Sequence, residues 1–142
     1  MQSHGSEDRV RVLVVDDDDA LRKAVCRVLH LAGIVAEDFP DGEQAFLRLR
    51  QITPESPASA ACYFDGAILD LKMPGWNGVQ TARALLSIEP RLPLIIWSGG
   101  APPALAAEAR SLEPYAFLEK PCDPAELVRV VRSLRPQPPA RS

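Results

Sequence analysis

Apolar runs and amphipathic stretches alternate along the chain. Residues 10–15, Val-Arg-Val-Leu-Val-Val, are almost continuously apolar and predict a buried strand. Leu21, Val25, Val28 and Leu29 then recur at helical spacing through about Leu31, and Gly33 breaks that helix. Residues 34–39 predict a short second strand. Asp41, with Gln44 three residues on as its reciprocal partner, predicts a capped helix running to about Gln51. A loop rich in Pro, Ser and Ala over residues 53–61 precedes a third apolar run, residues 66–69, which ends at Asp70.

Asn77 and Gln80 repeat the capping pattern and open a helix carrying Val79, Ala82, Leu85 and Leu86, with Pro90 beyond its end. Residues 92–97 are the most apolar run and predict a central strand buried on both faces. Gly99-Gly100 ends that strand, and Pro102 and Pro103 start an Ala-rich helix to about Leu112. Residues 115–118 predict a fifth strand. Asp123, Pro124 and Glu126 supply a cap, a first-turn proline and an early acid for a last helix ending near Leu134.

Strand followed by helix, five times over, implies an α/β fold with a parallel sheet and helices on both faces. Function in such sheets gathers at the carboxyl ends of the strands. The residues standing there are Asp16 and Asp17 after the first strand, Asp70 after the third, Ser98 after the fourth and Lys120 just past the fifth.

The remaining features narrow the picture by exclusion. A chain of 142 residues with 46% hydrophobic and 25% charged residues suits one soluble domain covering residues 9–135, between a polar leader (1–8) and a Pro-rich tail (136–142). A net charge of −3 gives no sign of a nucleic-acid or membrane surface, and no apolar stretch approaches the about 20 residues of a membrane helix. Arg129, Arg132 and Arg135 read as the solvated face of the last helix. Cys26, Cys62 and Cys122 are far apart and form no CxxC, so free thiols in a reducing cytoplasm are expected. His4 and His30 are isolated and receive no role.

Asp16 to Asp19 are four adjacent acids, and like charges so close repel unless something offsets them. A hard cation such as Mg²⁺, which takes oxygen ligands, is the expected offset for Asp16 and Asp17, whereas Asp18 and Asp19 start the following helix. Three carboxylates and a lysine at one sheet edge fit phosphoryl chemistry. Asp70 can ligate the metal with one oxygen and attack phosphorus with the other, and Lys120 can neutralise phosphoryl charge.

Four segments carry a family resemblance: Val14-Val15-Asp16-Asp17; Leu69-Asp70-Leu71-Lys72-Met73-Pro74-Gly75, with Gly78 after it; Trp97-Ser98-Gly99; and Phe117-Leu118-Glu119-Lys120-Pro121. In this order and spacing the chain resembles a response-regulator receiver domain of two-component signalling, over roughly residues 10–134. The resemblance implies a flavodoxin-like doubly wound sheet in strand order 2-1-3-4-5. It makes Asp70 the phosphoacceptor, with Asp16, Asp17, Asp70 and the backbone carbonyl of Lys72 as Mg²⁺ ligands. Ser98 becomes the switch hydroxyl, Lys120 the family lysine, Phe117 the aromatic switch, and the bond to Pro121 a cis one. It also implies a cytoplasmic signalling domain that catalyses only its own phosphorylation and dephosphorylation. The phosphoryl donor is a histidine kinase or His phosphotransfer protein, and homodimerisation through the last helices is an open option.

Several positions depart from the family pattern. Phe117 stands where many members carry Tyr, and Leu112-Glu113-Pro114 replaces a small-residue turn with Gly. The loop at 53–61 is long, and Trp97 is bulkier than the usual aliphatic. Trp76, six residues after Asp70, is the expected fluorescence reporter. Two other readings compete. A haloacid-dehalogenase-like Mg²⁺ phosphatase would place its nucleophile after the first strand, where Asp16 and Asp18 fit half of the D-x-D-x-[T/V] pattern and Ala20 fails its end. A phosphorylation-free interaction module of the same fold is the third.

Overall fold

The computed structural model describes residues 9–53 and 63–134. The leader, most of the 53–61 loop, Cys62, Arg135 and the tail lie outside the described residues. Among the described residues, five strands alternate with five helices. They run β1 (Arg11–Val15), α1 (Asp19–Leu31), β2 (Val35–Phe39), α2 (Gly42–Ile52), β3 (Gly66–Leu69), α3 (Gly78–Ile88), β4 (Leu94–Ser98), α4 (Pro103–Arg110), β5 (Ala116–Glu119) and α5 (Pro124–Arg132). The expected elements are all present, with ends displaced by a residue or two.

The sheet is parallel throughout, in the order β2-β1-β3-β4-β5. Alternation along each strand sends side chains to two separate cores. Leu13, Val15, Leu69 and Ile96 pack with Ala45 and Leu49 of α2 and Val79, Ala82 and Leu85 of α3. Val12, Val14, Ile68, Ile95 and Trp97 pack with Val25 and Leu29 of α1 and Leu127 and Val131 of α5. Every residue of β4 is buried, as its apolar run requires.

The helix starts follow their caps. Asp18 accepts the Leu21 N–H, Asp41 the Gln44 N–H, and Asp123 the Ala125 N–H. Asn77 and Gln80 form a full capping box. At Asp41 the pairing differs from the expected box, because the Gln44 amide returns to the Asp41 carboxylate at 2.9 Å instead of to its backbone N–H.

In α1 the buried stripe is Arg22, Val25, Cys26 and Leu29. Leu21 and Val28, expected in that stripe, are only half buried. In the Leu112-Glu113-Pro114 turn, Glu113 takes the left-handed conformation, φ +55°, that glycine takes most readily. The Lys120–Pro121 bond is cis, as expected.

Candidate phosphoryl-transfer site

Register places the site residues in rows. Val15 lies opposite Leu69, Leu69 opposite Ile96, and Ile96 opposite Phe117. One residue further along each chain come Asp16, Asp70, Trp97 and Leu118. The ladder continues past the strand ends, with Asp16 N–H donating to the Phe39 carbonyl at 3.2 Å and Asp70 N–H to the Val15 carbonyl at 3.1 Å. Lys120 N–H donates to the Ser98 carbonyl at 2.9 Å. The two aspartates therefore sit on backbone as ordered as the sheet itself.

Asp70 is held from beyond as well. Gly78 N–H donates to the Leu71 carbonyl at 2.8 Å, drawing the first turn of α3 against the chain that carries Asp70. A Cβ at position 78 would lie 2.4 Å from the Asp70 carbonyl oxygen and 2.8 Å from Leu71 Cα, so only glycine fits.

The structure gathers most of the predicted site. One carboxylate oxygen from each of Asp16, Asp17 and Asp70 lies within 4.8 Å of the others. Asp16 and Asp70 are buried and Asp17 is exposed, so the cluster opens to solvent on one side. Lys120 Nζ is 2.9 Å from Asp16 Oδ2 and 3.5 Å from Asp70 Oδ1. Asp16 Oδ1 also accepts the Asp18 N–H at 2.9 Å, so both its oxygens are engaged. Asp70 has no contact so short. Burial, and then the charge of Asp16, raise the Asp70 carboxyl from its ordinary 3.8 to about 6, although Lys120 pulls the other way.

The donor set suits a hard divalent cation: three carboxylates within reach of one another, two of them buried and offset by a single ammonium. Lys72 lies two residues past Asp70 with its side chain exposed.

Ser98 is 5% exposed and its hydroxyl has no hydrogen-bond partner. It shares a recess of about 180 Å³ with Phe117, Gly99 and Lys120. Phe117 is half buried, with the Arg110 guanidinium over its ring. Trp76 packs edge-on against Phe46 at 5.8 Å, whereas the Trp97 ring centroid lies 4.9 Å from Lys120 Nζ. Trp97 is thus the indole in contact with the site.

Sequence reasoning missed Arg22. It is buried and bonds Asp38 at 2.7 Å, Asp19 at 2.8 Å and the Asp16 backbone carbonyl at 2.8 Å. It therefore braces Asp16 from behind. The signal was the spacing Arg22-Val25-Cys26-Leu29, a helical stripe in which a cation occupies the first apolar position.

Comparison with known proteins agrees with this geometry. The family model for the response regulator receiver domain matches residues 12–132. The C4-dicarboxylate transport transcriptional regulatory protein DctD of Rhizobium meliloti is 31% identical over 122 residues, covering 85% of this chain and 24% of that protein. The transcriptional regulatory protein FixJ of Bradyrhizobium diazoefficiens is 30% identical over 133 residues, covering 92% of this chain and 60% of its own length. The chain thus spans about a quarter of one relative and three fifths of the other. The crystal structure of a response regulator receiver protein from Sinorhizobium medicae superposes with a TM-score of 0.71 at 28% identity, covering 90% of this chain and 95% of that one. The family match over nearly the whole described chain, on a sheet of this order, makes the chain a member of the response regulator receiver domain family.

Proposed function

We propose that Asp70 accepts a phosphoryl group from a phosphohistidine of a partner histidine kinase or His phosphotransfer protein, and that the domain then shifts conformation to regulate a partner. The observation that carries this reading is the unequal use of the three carboxylates. Asp16 has both oxygens committed, to Lys120 and to the Asp18 N–H, whereas Asp70 is held only by a 3.5 Å contact to Lys120. That inequality also disfavours a dehalogenase-like phosphatase, whose nucleophile would follow the first strand.

In the reaction an ionised Asp70 oxygen attacks phosphorus, the phosphorus–nitrogen bond breaks, and the imidazole leaves with the electron pair. A carboxyl raised to about 6 is mostly ionised at neutral pH and more basic than an ordinary aspartate. Lys120, already beside Asp70, supplies positive charge to the phosphoryl oxygens. Asp16, Asp17, Asp70 and the Lys72 carbonyl would hold Mg²⁺, which when bound supplies further charge neutralisation on those oxygens. The buried, unpartnered Ser98 hydroxyl donates to a phosphoryl oxygen after transfer, and Phe117 turns inward into the space this opens. The phosphorylated state is thus a population shift favoured by new contacts. A cytoplasmic location fits the partner class and the free thiols of Cys26 and Cys122.

The test is labelling with acetyl phosphate and Mg²⁺, read on a phosphate-affinity gel. Wild type should shift and Asp70→Asn should not. An equal shift in both removes Asp70 from the role.

A further inference from the structure

We propose that Trp97 is a positioning residue for Lys120, its indole face holding the ammonium where it meets phosphoryl oxygens on Asp70. This rests on the reading of Asp70 as acceptor and adds a residue to that site.

Register brings the two together. Trp97 pairs with Leu118 across β4 and β5, so Lys120, two residues on, points to the same face of the sheet. Diagonal neighbours at that separation are within reach of a large ring and a long side chain. Lys120 Nζ lies 4.9 Å from the indole centroid, inside cation–π range. The contact is shielded: Trp97 is 5% exposed and the Lys120 side chain 19% exposed.

The lysine stem is confined on a second side. A Cβ on Gly99 would meet Lys120 Cβ at 3.1 Å and its Cδ at 3.6 Å, so the stem lies close across the glycine. Gly99 and Trp97 therefore form a cradle that leaves the ammonium facing Asp16 and Asp70. The indole N–H has no oxygen or nitrogen partner among the described residues and is turned to the Cys122 thiol, so Lys120 meets the ring by its face and not by its polar edge. Trp97 also lines an apolar cleft of about 130 Å³ with Leu21, Val25, Cys122 and Leu127, a contact that an aliphatic side chain would keep. What an aliphatic residue lacks is the negative ring face turned to Lys120. Held by that face, the ammonium keeps fewer of the orientations that would carry it away from Asp70.

The test compares Trp97→Phe, which keeps a ring face, with Trp97→Leu, which keeps bulk alone. In metal-free wild type the Lys120 Hε protons should show an upfield ring-current shift by NMR, partly kept in Trp97→Phe and lost in Trp97→Leu. The initial labelling rate with acetyl phosphate and Mg²⁺ should fall about 3- to 10-fold in Trp97→Leu and less in Trp97→Phe. In a Lys120→Met background, Trp97→Leu should cost nothing further. Trp97→Met replaces Trp97→Leu if the latter does not fold. Unshifted Lys120 protons in wild type, a wild-type rate in folded Trp97→Leu, or an equal further loss in the Lys120→Met background would each overturn the proposal. Labelling of Asp70→Asn would instead remove the acceptor reading beneath it.

Discussion

The Arg110 guanidinium lies 3.9 Å from the centroid of the Phe117 ring, joining the last turn of α4 to β5. Arg110 is exposed and Phe117 half buried, so the arginine covers the outer face of the residue proposed to turn inward. An exposed cation–π contact biases a two-state side chain by a few-fold. Arg110→Ala should therefore shift Phe117 toward its inward conformer about 2- to 5-fold. The Phe117 ring resonances of the unphosphorylated variant should move part of the way to their beryllofluoride-bound positions. Resonances identical to wild type would show that Arg110 does not restrain the switch.

Gly78 and Gly75 separate a steric requirement from a conformational one. A Cβ at 78 would press on the backbone of Asp70 and Leu71, whereas a Cβ at 75 meets nothing within 4 Å but sits at φ +74°. Gly78→Ala should cost about 1–3 kcal/mol in urea unfolding and should also cut labelling, because the strain falls on the backbone of Asp70, the proposed acceptor. Gly75→Ala should cost about 1 kcal/mol from the left-handed conformation and leave labelling near wild type. Equal labelling in the two folded variants would mean that the α3 contact does not position Asp70.

The parts of this molecule that could be read from sequence are those in which one local signal suffices. Continuous apolar runs such as residues 94–97 leave little choice but a buried strand, and Asn77 with Gln80 marks a helix start through bonds made within four residues. Asp16, Asp70 and Lys120 stood out because each follows such a run. Contacts made only by folding were out of reach. Periodicity counts apolar side chains, so it passes over Arg22 on a buried stripe, and its partner Asp38 lies on another element. Trp97 over Lys120 and Arg110 over Phe117 depend on strand register and on where α4 settles. Glu113 holds a left-handed turn without the glycine that would have announced it.

Arg22 ties the back of the site to β2. Arg22→Ala would leave Asp38 without its 2.7 Å partner and free the Asp16 carbonyl from a buried 2.8 Å bond. The Asp38 side chain is 36% exposed, so water recovers part of the loss, and the expected destabilisation is about 2 kcal/mol. Because the same guanidinium braces Asp16, Mg²⁺ affinity should also weaken in the folded variant. Titration followed by Trp fluorescence checks this, and an unchanged affinity would confine Arg22 to a stabilising role.

Asp70 itself should destabilise the metal-free fold at neutral pH. Its carboxyl is raised from 3.8 to about 6, so the native state binds the proton more tightly than the unfolded chain does. Between those values the folded state carries more protons, and stability falls as pH rises. The penalty is absent below the unfolded value and complete above about 6. Its size is on the order of 2–3 kcal/mol, from the shift in pKa. Asp70→Asn does not titrate, so in EDTA at pH 8 it should melt above wild type, and the gap should close as pH falls from 6 toward 4. Mg²⁺ should oppose the trend, raising the melting temperature of wild type more than that of the variant, because Asp70 is one of the three clustered carboxylates. A variant no more stable than wild type at pH 8 in EDTA would show that Lys120 already compensates the buried charge in full.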